Sequence, residues 1–120
     1  MAYVEPKAPG FLWGLGTISG AGAAGQCVKV VGNDVFAVND DGNGRSFGVL
    51  AKTYRDGDRV GVYCQGGVYE TDNYTGTPAA GDPLVCDPAT GKLKKQADET
   101  FVVAEALSVA SGVLRFKLLV

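Results

Sequence analysis

The chain has 120 residues, 46% of them hydrophobic and 20% charged, so it can bury one modest core and is too apolar to stay disordered. Its formal net charge is −2 and its basic residues are scattered, which argues against a nucleic-acid or anionic-membrane surface. It has no histidine, so the usual proton shuttle at neutral pH and the commonest metal ligand are both missing.

The eighteen glycines are about twice the usual share of ~7%, which fits the many tight turns of an all-β fold. The three cysteines, Cys27, Cys64 and Cys86, are far apart and odd in number, so they cannot form a complete intrachain disulfide framework. They read as buried free thiols, with an intersubunit disulfide as the alternative. The first residues lack the layout of a signal peptide, and no apolar run reaches the ~20 residues that span a bilayer. The expectation is a product made in a cytoplasm, with no membrane partner.

In chain order, residues 1–25 stand apart. Pro6 and Pro9 oppose early regular structure, and residues 14–25 are almost all Gly, Ala, Ser and Thr. Phe11, Leu12 and Trp13 form an aromatic-apolar knot between them. The segment reads as a flexible leader or as an extended arm that lays its aromatics on a neighbouring protein. The arm reading makes Phe11, Leu12 and Trp13 candidate partner-binding residues, joined by Tyr3 and Tyr74.

The body, residues 26–120, reads as short strands broken by turns. Strands are expected over residues 26–31, 35–38 and 47–53. Residues 59–64 and 68–72 read as a central hairpin about a Gln65-Gly66-Gly67 turn. Further strands are expected over 83–86, 92–95, 100–106 and 113–120, with a short helix over 101–107 as an alternative. In the last strand Leu114, Phe116, Leu118 and Val120 share one face, opposite Arg115 and Lys117. Turns every eight to twelve residues point to a small β-barrel or β-sandwich of about seven to nine short strands.

No motif carries convincing chemistry. Gly44-Arg45-Ser46-Phe47-Gly48 matches a nucleophile elbow, but a polar loop precedes it, a strand follows it, and no histidine can serve it. Asn39, Asp41, Asn43 and Gly44 resemble half a calcium loop, yet Leu50 stands where a bidentate Glu is needed, so an Asx-rich turn is the better reading. Gly14, Gly16 and Gly20 loosely echo a dinucleotide fingerprint without its βαβ context. Asn73-Tyr74-Thr75 fits a glycosylation acceptor but has no secretory signal to give it meaning. Asp56 and Asp58 read as a solvated turn rather than a paired-carboxylate site. The reading is a non-enzymatic protein with no cofactor and no metal.

The order of short motifs through the body carries a resemblance. Phe47-Gly48-Val49-Leu50 is followed by Asp56-Gly57-Asp58-Arg59-Val60-Gly61-Val62, then Gly66-Gly67-Val68-Tyr69. Gly81-Asp82-Pro83-Leu84-Val85-Cys86-Asp87, Thr90-Gly91-Lys92-Leu93 and Val113-Leu114-Arg115-Phe116 complete it. This order resembles the small β-rich capsid decoration, or cement, proteins of tailed bacteriophages. The resemblance implies a structural virion protein on the outer capsid surface, synthesised in the host cytoplasm. It implies the major capsid protein as partner, bridging between neighbouring copies, and a homo-oligomer, with a trimer favoured. The alternative is a small ligand- or carbohydrate-binding β module, with Trp13, Tyr54, Tyr63, Tyr69 and Tyr74 as an aromatic platform.

Overall fold

The alternation that marks the C-terminal strand is realised in a computed structural model, which describes residues 2–120. Strand β9 (Val113–Leu118) buries Leu114, Phe116 and Leu118 and exposes Arg115 and Lys117. It pairs with β8 (Val102–Ala110) across a turn in which Ser111 and Gly112 have φ of 52° and 75°. Two positive φ values make a primed turn, whose twist matches that of the flanking strands. Residues 101–107, where a helix was the alternative, lie largely within β8.

The remaining strands are β1 (Val4–Ile18), β2 (Cys27–Gly32), β3 (Val35–Val38), β4 (Gly48–Leu50), β5 (Arg59–Thr71), β6 (Pro83–Cys86) and β7 (Leu93–Lys95). All nine join one mixed sheet in the order β1-β3-β2-β4-β5-β9-β8-β6-β7. β1 also pairs with β5, so β1, β3, β2, β4 and β5 close into a ring. The fold is all-β. The ring surrounds a core of Ile18, Val28, Phe36, Leu50, Val60 and Val62. A larger core, including Tyr69, Leu84, Leu93, Leu114 and Phe116, lies on the β5-β9-β8-β6-β7 side.

Two expectations are corrected. The first is the central hairpin. β5 does not reverse at Gln65-Gly66-Gly67 but runs on for thirteen residues. The three residues do take positive φ, of 59°, 84° and 98°, yet they form an irregularity within the strand. Opposite them the β1 register slips between Pro9↔Gly67 and Phe11↔Cys64, so β5 carries one extra residue. The effect is visible in burial: Val60, Val62 and Cys64 face inward before the bulge, and Tyr69 and Thr71 after it. The parity of the strand has flipped, and both halves still bury their apolar face. The bulge also marks a change of neighbour, because β5 pairs with β4 up to Tyr63 and with β9 from Val68.

The second is the extended arm of residues 1–25. Residues 4–18 do not project; they are β1, laid antiparallel along β5 from Val4↔Thr71 to Thr17↔Arg59. Thr17 and Ile18 then run parallel to β3. Pro6 and Pro9 are compatible with this because β1 is a border strand: from Val4 to Gly16 its second edge has no strand partner among the described residues. The Cα radius of gyration, 12.6 Å, is below the roughly 13.6 Å typical of a folded chain this long, as expected when no segment extends away.

Candidate interaction surface

β1 offers most of its side chains to solvent. Phe11, Leu12 and Leu15 are 46, 53 and 66% exposed, which is high for large apolar groups on one strand. Alternation sends the neighbours Phe11, Leu12 and Trp13 to two different faces. Trp13 stands opposite Val62 and turns into the ring, so it is half-buried. Leu12 stands opposite Tyr63 and turns outward.

The outward side forms a groove of about 660 Å³ beside Leu12. Tyr3, Tyr54 and Tyr63 supply its aromatic walls, and Lys52 is the charged group among its described lining residues. Gly61 keeps the floor open: a Cβ there would stand 3.2 Å from both Leu12 Cδ1 and the Tyr54 hydroxyl oxygen. Tyr54 is held by the Gly61 amide, which donates to its hydroxyl at 2.8 Å. Tyr3 is fixed through its backbone. Its N–H donates to Asp72 Oδ1 at 3.0 Å, and its carbonyl accepts from the Thr71 hydroxyl at 2.7 Å. Burial pushes the Tyr63 phenol above its ordinary pKa, so it stays a neutral hydroxyl across the physiological range.

The inward side holds an aromatic row. Ring centroids are 6.3 Å apart for Phe11–Trp13, 5.8 Å for Trp13–Phe47 and 5.0 Å for Phe36–Phe47. Trp13 and Phe47 meet edge to face, a favourable arrangement of the two quadrupoles. The row thus links the exposed Phe11 to the buried Phe36. The Trp13 Nε1–H is buried without a hydrogen-bond partner.

Of the residues singled out from sequence, the structure brings Tyr3 and Leu12 to the groove and Phe11 and Trp13 to the aromatic row. Tyr74 is apart from both. It bridges to Leu93 and packs half-buried against the larger core. Tyr69 is fully buried, so it serves no surface platform. Sequence reasoning missed Lys52 and Ala51 beside Tyr54, and Phe47 beside Trp13. Nothing local marks these residues, since the fold sets the 51–54 segment against Leu12, Gly61 and Tyr63, and Phe47 against Trp13.

The rejected motifs are engaged structurally. Ser46 is 2% exposed, and its Oγ accepts from Asn39 Nδ2 at 2.8 Å. In the polar loop, Asn39 Oδ1 accepts from the Asp41 amide, and Asp41 Oδ1 from the Asn43 amide, each at 3.0 Å. Asn43 Oδ1 in turn accepts from Thr100 N–H and Oγ1 at 2.7 and 3.0 Å. The oxygens that resembled calcium ligands therefore build an Asx turn and tether it to residue 100.

No protein-family model matches the chain, and no curated protein matches it.

Proposed function

We propose that this chain is a structural virion protein of a tailed bacteriophage: a decoration, or cement, protein that binds the outside of the head, bridges adjacent major capsid proteins and stabilises the shell. One observation carries the reading beyond the motif order. A small domain exposes Phe11, Leu12 and Leu15 on its border strand, with Tyr3 just ahead of that strand in the aromatic groove beside Leu12. Exposed apolar side chains in such a row suit docking on a protein surface. A single module of this size makes only a modest interface. Assembly as a trimer would make attachment multivalent and raise avidity without new kinds of contact.

The groove favours a second reading, a module that binds a small ligand or carbohydrate. Tyr3, Tyr54 and Tyr63 would provide the stacking faces and Lys52 a polar contact. The two readings separate in one experiment. Mixed with expanded empty heads, the protein is expected to co-sediment saturably at a fixed ratio to the shell protein. Leu12→Asp should weaken that binding while the circular dichroism of the domain is retained. Protein that stays free of heads but binds glycans on an array would replace the cement reading with the second one.

A further inference from the structure

Cys27 and Cys86 lie in the same buried core, yet they come from strands that do not pair, β2 in the ring and β6 outside it. Both converge on Asn39. The Asn39 amide donates to the Cys27 carbonyl at 2.8 Å, while the Cys86 thiol donates to the Asn39 carbonyl at 3.0 Å. Both cysteines are fully buried, and Cys86 is the largest influence on the Cys27 thiol, with Ser46 acting in the opposite sense. Asn39 and Ser46 are two of the three buried polar side chains among the described residues, so the thiols sit in a polar nest inside an apolar core. Cys64 is elsewhere, on β5, lining a cleft with Phe47 and Val120.

We propose that Cys27 and Cys86 form a latent internal cross-link, a dithiol that a low-molecular-weight disulfide oxidises to a bond between β2 and β6. With glutathione disulfide as the oxidant, the thiolate of one cysteine attacks a glutathione sulfur and releases one glutathione thiol. The second cysteine then displaces the remaining glutathione and forms the protein S–S bond. Two protein thiols and one glutathione disulfide become one protein disulfide and two glutathione thiols. The reaction is slow in the closed molecule. The adjacent Cys86 and then burial hold the Cys27 thiol well above its ordinary pKa, and both sulfurs are shielded from solvent. Exchange therefore runs through opened molecules and quickens in mild urea. This chemistry is independent of what the outer surface binds.

The test is to incubate the full chain with glutathione disulfide in mild urea, return it to buffer, unfold it in N-ethylmaleimide and measure its mass. The expected product is a monomer with two hydrogens removed, about 2 Da, and a single maleimide on Cys64. A non-reducing peptide map should join Cys27 to Cys86, and the thermal midpoint should rise by roughly 10 °C. Cys64→Ser should form the same internal bond and carry no maleimide. Cys86→Ser should give no internal bond, and Cys27→Ser tests the same point should that variant not fold. Three maleimides, a bond to Cys64, or stable glutathione adducts in place of the cross-link would each overturn the proposal.

Discussion

At the scale of single residues, one tightly constrained place is the crossing of β1 and β5 at the bulge. Backbone meets backbone there. A Cβ on Gly67 would lie 2.3 Å from Gly10 N, and one on Gly10 would lie 2.4 Å from Gly66 O. Tyr69, fully buried, pins the crossing: its hydroxyl accepts from the Gly10 amide at 2.9 Å and donates to Gly66 O at 3.1 Å. Gly66 differs, since a Cβ there meets only Leu118 O at 3.8 Å and the obstacle is its φ of +84°. We therefore expect Gly67→Ala to cost more than about 2 kcal/mol, because neither backbone can yield. Gly66→Ala should cost only about 1 kcal/mol, for the left-handed conformation. Tyr69→Phe should cost about 1–2 kcal/mol, for a hydroxyl that serves two partners. Urea midpoints at constant slope will rank the three, and equal losses for both glycines would contradict the close-approach argument.

At the scale of elements, β1 decides whether the ring exists. It is the strand that joins β3 to β5, so removing it opens the ring beside Val60, Val62 and Phe36. Deletion of residues 2–18 is expected to abolish cooperative unfolding rather than leave a folded body, as read by circular dichroism. The only tryptophan gives a gentler test, because Trp13 lies on β1 and packs on Phe47. Its emission should be blue-shifted in the native protein and should move to the red in the same urea transition as the sheet signal. A red shift at lower urea than the loss of sheet would show β1 peeling from an otherwise folded domain.

At the scale of the whole molecule, a few acidic groups set the response to pH. Lys94 Nζ lies 2.6 Å from Glu99 Oε2, and the Ala97 amide donates to Glu99 Oε1 at 3.0 Å. The Lys94 contact first, then the Ala97 amide, hold the Glu99 carboxyl at about 2, against an ordinary 4.5. Arg115 first, and then Lys7, lower Glu70 in the same direction. A depressed carboxylate binds its proton more weakly folded than unfolded. Its stabilising contribution is complete above the ordinary value and is lost as pH falls through the folded one. The urea midpoint should therefore decline between about pH 5 and pH 2, and Glu99→Gln should show a smaller decline than the parent. An identical decline in both would remove Glu99 from the account.

What the sequence determined by itself is local. The β9 alternation, the Ser111-Gly112 turn, the hairpin of β2 and β3, the short β6 and the all-β class all follow from side-chain period and turn chemistry. The buried thiols followed from their apolar character. The expected upper count of nine strands agrees with the nine observed only because two differences cancel: the supposed hairpin is one strand, and the supposed arm is another. Of the candidate surface, the apolar residues of β1 were legible, but their division between groove and aromatic row was not. Tyr74 could not be told from a surface tyrosine. These points were left to the tertiary structure for one physical reason. Gln65-Gly66-Gly67 can reverse a chain or bulge it, and a proline-containing glycine-rich segment can extend into solvent or border a sheet. Local conformational preference allows both outcomes in each case. The choice is made by the partner strand: β1 supplies the backbone that Gly66 and Gly67 meet, and β5 supplies the ladder that makes β1 a strand.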